Sequence, residues 1–343
     1  MTRAGWYAAQ LRQELTLRNR SYALGRAHVE SYGSEPVIVY APDCGHHGNF
    51  FDSAYAAIVA RPEWVRRFDK IHAQAARSLP KPQLDPARRW RELDSSMSSD
   101  ALLMNVFCAP GVAESSAVRD ALGVETEALP IFGWKARVPL AGGRVDRTEI
   151  DMRFGSLLVE AKLTEVGFQM RTASMVETYK DFDAVFDRDL LPRTYIPTAR
   201  WMQASEFPEN DSQEFESVVG DPDVFSVIDA TFRPPGEPGY ASYQLIRGVL
   251  AAYAADCSFC VLHDERRPDQ REDWFAVMAA VRDAEMRVRL KILTWQELAA
   301  LLPAALQEFL DVKYGIVAPG KTPSSIGELD DPDDVTIDRG LNP

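Results

Sequence analysis

Two acidic residues and a lysine, Asp151, Glu160 and Lys162, lie within a short stretch of the sequence and flank a turn. Carboxylates that come close together repel each other when both are ionised, and a hard cation such as Mg²⁺ relieves that repulsion. A bound cation lowers the pKa of its water ligand and neutralises charge on a phosphoryl oxygen. A neighbouring lysine can orient the attacking water. The three residues therefore indicate a metal-dependent phosphodiesterase site.

The residues on both sides of the turn have the alternating pattern of β-strands. Residues 148–154 alternate between polar and apolar side chains, and residues 157–162 form a second strand-like run. The dipeptide Gly155-Ser156 between them is typical of a two-residue turn, so the two strands are predicted to form an antiparallel hairpin.

The register of this hairpin decides whether the acids meet. If Phe154 pairs with Leu157 next to the turn, Asp151 faces Glu160, because opposite residues of an antiparallel pair share a face of the sheet. Lys162 lies on the same face, since side chains alternate along a strand. The sequence therefore predicts that the three charged groups converge.

An alternative interpretation is a solvated hairpin with a surface Glu–Lys pair, because acid-x-Lys triplets are common. Here, however, the triplet Glu160-Ala161-Lys162 ends the apolar run of residues 157–159. Charged groups in apolar surroundings are costly unless they are paired or bound to a metal. This context favours a functional site.

Size and composition are those of a globular protein. The chain has 343 residues, enough for one large domain or two, and a hydrophobic fraction of 46%. We find no signal peptide and no apolar run that could span a membrane, and we expect a cytoplasmic protein. The net charge of −13 disfavours nucleic acid as a partner, but acid concentrates in residues 206–237 and 328–338, and the chain before about residue 100 is slightly basic. Local charge matters more than net charge for binding phosphate.

A basic face is predicted in the N-terminal region, residues 1–95, which we expect to be mainly helical. Pro62 is suited to the first turn of a helix. The apolar stripe of that helix leaves Arg66 and Lys70 on another face, with Arg67 at its border. These cations are candidate contacts for nucleic-acid phosphates; the alternative is an ordinary solvated face.

Residues 96–317 are predicted to form the main domain, with an irregular insertion at about residues 167–238, and residues 318–343 a flexible acidic tail. The residue patterns predict an α/β fold. Its expected elements are a helix from Ser98 or Ser99 to residue 107, strands at 131–138, 148–154 and 157–162, a helix at 242–255, a strand at 258–262, a helix at 273–285, a strand at 288–293, and a last helix that Thr294 and Glu297 cap and Pro303 kinks.

The four cysteines allow a second kind of metal site. Cys257 and Cys260 have the spacing of zinc ligands, and Cys44 lies near His46 and His47. Zinc is the weaker alternative, because the predicted strand at 258–262 would direct the thiols of Cys257 and Cys260 to opposite faces of the sheet. A structural zinc site needs four converging ligands.

The order of the predicted elements is a helix, three strands, a helix and a strand, with the acidic pair on the second and third strands. This order resembles the PD-(D/E)xK nuclease superfamily, to which many restriction endonucleases and DNA-repair nucleases belong. The residues that carry the resemblance are Asp151 and the triplet Glu160-Ala161-Lys162, and it covers about residues 98–295. The resemblance implies a restriction-endonuclease-like core, which is a mixed central sheet flanked by helices.

The resemblance also implies a metal site. Asp151, Glu160 and the backbone carbonyl of Ala161 would hold Mg²⁺, with Mn²⁺ as a possible substitute, and Lys162 would assist the attacking water. Ile150 stands where the named motif has proline, although many members of the superfamily lack that proline.

Further residues are placed near the site by the same resemblance. Gln244 and Arg247 lie about one turn apart on the following helix, where related nucleases often carry supporting residues; the alternative is a surface pair. Some members also have an acid on the first helix, for which Glu92, Asp94 and Asp100 are candidates.

The partner implied by the resemblance is DNA, with no membrane and a possible homodimer. The alternative function is a non-catalytic nucleic-acid-binding protein that keeps the nuclease fold. An enzyme that acts on RNA or on DNA ends would use the same metal chemistry. Residues 47–51, together with Ser98, Ser99 and Asn105, also look similar to a bacterial branch of restriction-endonuclease-like proteins.

Overall fold

The computed structural model describes residues 3–31, 36–70, 91–125, 128–197 and 236–326, which form a mixed α/β structure. The helices are α1 (Arg3–Tyr22), α2 (Asp52–Val59), α3 (Pro62–Val65), α4 (Ser99–Phe107), α5 (Ser116–Leu122), α6 (Ala173–Val176), α7 (Phe182–Val185), α8 (Tyr243–Ala254), α9 (Pro268–Ala279), α10 (Ala284–Val288), α11 (Trp295–Ala299) and α12 (Ala304–Tyr314), with 3-10 helices at Arg66–Asp69 and Glu92–Asp94. The strands are β1 (His28–Glu30), β2 (Ile38–Tyr40), β3 (Pro42–Asp43), β4 (His46–His47), β5 (Ile131–Lys135), β6 (Val138–Pro139), β7 (Val145–Asp146), β8 (Glu149–Phe154), β9 (Leu157–Ala161), β10 (Arg171–Thr172), β11 (Arg193–Pro197), β12 (Gly236–Tyr240), β13 (Ser258–His263) and β14 (Leu290–Thr294). Within these ranges, no helix combines the length and the apolar character that crossing a membrane requires.

Five strands form the central sheet, in the order β14-β13-β9-β8-β5. β9, β13 and β14 are parallel to one another, whereas β8 is antiparallel to both β9 and β5. Parallel neighbours need a crossover connection, and helix α8 precedes β13 just as α9 and α10 precede β14. The predicted α/β class with a mixed central sheet is therefore confirmed.

The hairpin of β8 and β9 has the predicted register. Phe154 pairs with Leu157, and Met152 pairs with Val159. Gly155 has a φ of +59°, a left-handed conformation that glycine adopts without strain, and this allows the tight turn. All of β9 is buried because it lies between β8 and β13, whereas β8 alternates between buried and half-buried residues.

Helices cover both faces of the sheet. One hydrophobic core combines α1, α2, α4, α11 and α12 with sheet residues such as Val159 and Leu262. The other packs α8 and α9 against Leu158 and Val261. The described part of the N-terminal region thus shares a core with the sheet.

Two predicted helices differ in their bounds. α9 starts at Pro268 rather than at residue 273, since proline fits the first turn of a helix. The expected kink at Pro303 is a complete break, because α11 ends before it and Pro303 caps α12. The predicted cap is confirmed, since Thr294 and Glu297 form a capping box at the start of α11.

The described part of the expected insertion contributes to the second core. Phe168, Phe182 and Phe186 are buried there, and β10, β12 and β11 form a separate three-stranded sheet. Residues 198–235 lie outside the described ranges. At the start of the expected tail, the N–H and the hydroxyl of Ser324 donate to the carboxylate of Asp311 at 2.8 and 2.6 Å.

Lys313 of α12 is fully buried against α1. Its Nζ donates to Oδ1 of Asn19 at 2.7 Å and lies over the rings of Tyr22, Tyr40 and Tyr314. Aromatic faces attract an ammonium group, whereas removal from water favours the neutral amine. The loss of hydration is the larger effect, and it lowers the pKa of Lys313 well below its usual range.

Replacing Lys313 with methionine should therefore stabilise the protein, and most strongly at low pH. Between the lowered pKa of the folded chain and about 10.4 in the unfolded chain, the unfolded state binds more protons. The stability of the wild type then rises with pH across this window. We expect the advantage of Lys313→Met in urea unfolding to shrink from about pH 6 to about pH 9. Lys321→Met, which removes an exposed lysine, should show no such trend. A constant advantage at every pH would contradict a depressed pKa.

Candidate active site

The structure brings Asp151, Glu160 and Lys162 together at the open end of the hairpin. Asp151 lies in β8, Glu160 in β9, and Lys162 directly after β9. Regular pairing of the two strands does not extend to Asp151. Instead, Oδ2 of Asp151 accepts the N–H of Ala161 at 2.8 Å. The carboxylate thus takes the place of a backbone carbonyl, and this holds it beside Glu160.

Lys162 and Glu160 form a buried ion pair. Nζ of Lys162 lies 2.7 Å from Oε1 of Glu160, and the two side chains are 6% and 5% exposed. Burial disfavours the ammonium group, but Glu160 and then Glu165 and Asp151 outweigh it and raise the pKa of Lys162. Lys162 is therefore a fixed positive charge at neutral pH and not a base.

Asp151 has the opposite environment. Burial, then the neighbouring Glu160 and then Asp100 raise the pKa of Asp151 well above its usual range. Lys162 and the N–H of Ala161 oppose this shift only in part. Charge on Glu160 thus disfavours charge on Asp151, and a bound cation would remove that penalty.

A second group of charges surrounds Asp100, at the N-terminal end of α4. Its Oδ2 accepts hydrogen bonds from Nη2 of Arg67 at 2.7 Å and from Nζ of Lys70 at 2.9 Å. Arg67 also donates to Glu149 at 2.5 Å. Burial favours the neutral acid, but the two cations outweigh it and lower the pKa of Asp100. Of the three candidate acids before the first strand, Asp100 contributes to the raised pKa of Asp151.

The three predicted phosphate contacts have different environments. The helix that Pro62 opens ends at Val65 and continues as the 3-10 helix Arg66–Asp69. This change of geometry buries Arg67, whose side chain is 8% exposed, whereas that of Lys70 is 42% exposed. Arg66 is exposed and has no ion pair within the described residues. A contact with nucleic acid stays a prediction for the exposed Arg66 and Lys70; at Arg67 it would have to displace the carboxylates that the two Nη atoms bind.

Glu165 joins the segment after the Glu-Ala-Lys triplet to α4. Its Oε1 accepts the hydroxyl of Ser99 at 2.6 Å, and its Oε2 accepts the N–H of Leu163 at 2.7 Å. Sequence reasoning did not connect Glu165 with Ser99, because they lie 66 residues apart and only the packing of α4 brings them together. Nearby, burial raises the pKa of Glu92 to about 7.

Two buried side chains hold the chain where it leaves the sheet after the triplet. Nε1 of Trp295 donates to the carbonyl of Lys162 at 2.9 Å. The guanidinium of Arg267 donates to the carbonyls of Leu163 and Glu165 at 3.1 and 2.8 Å. Buried backbone carbonyls need partners, so these bonds stabilise one path for this segment.

Gln244 and Arg247 lie on α8, behind Lys162. The N–H of Gln244 donates to the carbonyl of Phe168 at 2.9 Å, and Nζ of Lys162 lies 5.6 Å from the centre of the Phe168 ring. Arg247 lies over the ring of Tyr243 at 5.1 Å, and its Nε is buried without a partner among the residues that the structure describes. No hydrogen bond or ion pair among the described residues joins either side chain to the three charged groups.

Comparison with known families shows which family the chain belongs to. A family model described as Restriction Endonuclease associating with ARP matches residues 18–315. The chain belongs to this family. No curated protein and no solved structure matches the chain. The matched range contains Asp151, Glu160 and Lys162, and it begins within α1, so the restriction-endonuclease family covers the N-terminal region as well as the sheet.

The segment that begins at His47 lies in the matched range and forms hydrogen bonds to α4. The amide of Asn105 donates to the carbonyl of Asn49 at 3.0 Å, and its Oδ1 accepts the N–H of Phe51 at 2.7 Å. Nε2 of the buried His47 lies 3.1 Å from a carboxylate oxygen of Asp94. These residues, which carry the narrower resemblance, thus fix the helix that bears Asp100.

The described residues contain no group of three or more histidine, cysteine, aspartate or glutamate side chains placed to hold a metal ion. All four cysteines are free, and Cys257 and Cys260 belong to the cores on opposite faces of the sheet. The alternative zinc ligands are therefore not brought together. A cation at Asp151 and Glu160 would take its other ligands from the backbone, water or substrate.

Asp151→Asn should stabilise the protein in the absence of divalent cations, and more strongly at higher pH. Because the pKa of Asp151 is raised, the folded chain binds more protons than the unfolded chain above about pH 3.9. Stability therefore falls as the pH rises through this window. Asparagine has no charge and still offers an oxygen to the N–H of Ala161. In urea unfolding with EDTA, we expect the gain in stability to be clear near pH 8 and to shrink as the pH falls towards 4.

Glu160→Gln should have the opposite effect, since it removes the ion-pair partner of the buried Lys162, at a cost of about 3 kcal/mol. The double variant Glu160→Gln/Lys162→Met should recover most of that loss. If Asp151→Asn lowered stability as Glu160→Gln does, the excess of negative charge at Asp151 would be disproved.

Proposed function

We propose that this protein is a metal-dependent nuclease that hydrolyses phosphodiester bonds of DNA, in restriction or defence. The observation that carries the proposal is the convergence of Asp151, Glu160 and Lys162 in a chain that belongs to a restriction-endonuclease family. Two adjacent acids can hold a cation that activates a water and neutralises charge on a phosphate, and a charged lysine beside them can orient that water.

The proposal includes a restriction-endonuclease-like core. The main elements α4, β5, β8, β9, α8 and β13 follow one another along the chain, in the order that the resemblance implies. The two strands that carry the acids are neighbours inside the sheet, and β13 adds parallel to β9. This arrangement supports the assignment because α4 packs on one face of the sheet and α8 on the other, next to the strands that carry the acids.

The residues present fit a hard cation. Within the described residues, Oδ1 of Asp151 and Oε2 of Glu160 accept no hydrogen bond, and the carbonyl of Ala161 is the third proposed ligand. Mg²⁺ typically uses one or two carboxylates and keeps several waters, and Mn²⁺ accepts the same oxygen ligands. The ion would supply an activated water and neutralise charge on the phosphate.

The chain's own side chains would orient the reacting groups. Lys162, held by Glu160 at 2.7 Å, keeps further N–H donors for a water or a phosphate oxygen. Gln244 and Arg247 would support the site from α8. Buried donors are normally paired, and the Nε of Arg247 has no partner among the described residues, which supports a role for this side chain at the site.

Purified protein should cleave plasmid DNA in Mg²⁺ or Mn²⁺ and remain inactive in EDTA. Asp151→Asn and Lys162→Met should each lower the initial rate on supercoiled plasmid by at least about 100-fold, the scale for loss of a group that acts in the transition state. Circular dichroism would check that both variants fold. Arg188→Met, which removes an exposed, ion-paired surface cation, should keep the wild-type rate.

Other results would support a different function. DNA binding without cleavage in every divalent cation would point to the non-catalytic nucleic-acid-binding protein. Equal rates for the wild type and both site variants would contradict the assigned residues. Linear, circular, single-stranded and RNA substrates, compared side by side, would separate a DNA endonuclease from an enzyme that acts on RNA or on ends.

A further inference from the structure

Arg67 joins three elements around Asp151. Its Nη2 donates to Asp100 of α4 at 2.7 Å, and its Nη1 donates to Glu149 of β8 at 2.5 Å. The third contact is with β5, where a Cβ built on Gly133 would overlap Nη1 of Arg67. A planar guanidinium that makes two directed bonds fixes the relative position of the groups it binds.

Gly133 makes room for this guanidinium at the level of Asp151. The ladder between β5 and β8 pairs Phe132 with Met152 and Trp134 with Ile150, so Gly133 stands between these pairs, across from Asp151. Its φ of +62° is a left-handed conformation that favours glycine. The edge strand thus carries a residue without a side chain at the point where Arg67 reaches the sheet.

The bond to Glu149 acts on the same strand as the acid of the site. Glu149 and Asp151 are two residues apart in β8 and share a face. Asp100, the other partner of Arg67, is the acid of α4 that influences Asp151. Arg67 therefore sets the distance between β8 and α4 on the side where Asp151 lies.

A phosphate contact would need a different arrangement. The side chain of Arg67 is 8% exposed, and both Nη atoms already bind carboxylates. By contrast, the neighbouring Arg66 is exposed. Arg67 is therefore placed to bind carboxylates inside the protein.

We propose that Arg67 is a positioning residue of the nuclease site, which holds Asp151 in place relative to α4 and makes no contact with DNA. This role rests on the proposed function. It also explains why a residue from the N-terminal region is needed at the hairpin. Loss of Arg67 should misplace the acids without removing any of them.

The fold has reason to survive the loss of Arg67. Asp100 keeps Nζ of Lys70 at 2.9 Å, and Glu149 keeps its ion pair with Lys135. Each acid therefore retains a cation. Gly133→Ala provides a second route to the same displacement, because it leaves the charge of Arg67 in place and pushes its guanidinium away.

The test compares Arg67→Met, Arg67→Lys, Gly133→Ala and Arg66→Met in the full chain. We expect Arg67→Met and Gly133→Ala to lower kcat on plasmid DNA by about 100-fold, the scale for a misplaced catalytic geometry, with KM changed little. Arg67→Lys keeps the charge but not the two directed bonds, so it should recover only part of kcat. The Mg²⁺ concentration that gives half of the cation-induced rise in Tm should increase at least about tenfold in Arg67→Met, since the acids are no longer held together.

A DNA-binding measurement in EDTA separates positioning from phosphate contact. The association constant for DNA decreases with salt concentration, and on logarithmic axes the steepness of this decrease drops by about 0.9 for each lost phosphate contact. We expect no such drop for Arg67→Met, whereas Arg66→Met, which removes an exposed candidate phosphate contact, should lower the slope. Arg188→Met removes an exposed cation outside the site and shows what charge loss alone does. A reduced slope for Arg67→Met with unchanged kcat and unchanged Mg²⁺ response would overturn the positioning role. If the wild type itself did not cleave, the proposed function would fail instead.

Discussion

The structure depends on holding several carboxylates close together in its interior. Asp151 and Glu160 lie at the buried end of the hairpin, and Asp100 acts on them from α4. Each buried charge costs several kcal/mol unless a partner compensates it. Lys162 forms an ion pair with Glu160, and Arg67 forms ion pairs with Asp100 and with Glu149 of β8. Among the described residues, Asp151 has no ion pair, and burial together with Glu160 and Asp100 raises its pKa.

This constraint accounts for the long-range contacts around the hairpin. Arg67 lies 82 residues from the acid that it binds in β8, Ser99 lies 66 residues from Glu165, and Arg267 lies 104 residues from Leu163. The site therefore exists only when the N-terminal region, the sheet and the following helices are packed together. A family match over residues 18–315 agrees with this, because it covers all of these parts as one unit.

The hairpin could be predicted from the sequence because its information is local. Period-two alternation and the turn at Gly155 determine which residues of the strands face each other, and the register followed without further data. The place of Arg67 could not be predicted in this way. The helix from Pro62 becomes a 3-10 helix, which changes the angle between successive side chains. The apolar stripe at α-helical spacing correctly predicts that Trp64 and Phe68 are buried, but it leaves Arg67 at its border, whereas the structure buries Arg67. Asp100 was one candidate among several acids, because its partners are distant in the sequence.

The excess of carboxylates at the site also affects how a chain with a net charge of −13 could bind and cleave DNA. The buried cations of the site neutralise the protein's own carboxylates, so they add little attraction for a polyanion. A divalent cation at Asp151 and Glu160 would change that balance by two charges at the point where the phosphate must approach. The same ion would stabilise the ionised form of Asp151, which burial and Glu160 disfavour. Under the proposed function, cation binding and phosphate binding are therefore coupled through the same carboxylates. The cation would then strengthen binding of the substrate as well as promote hydrolysis.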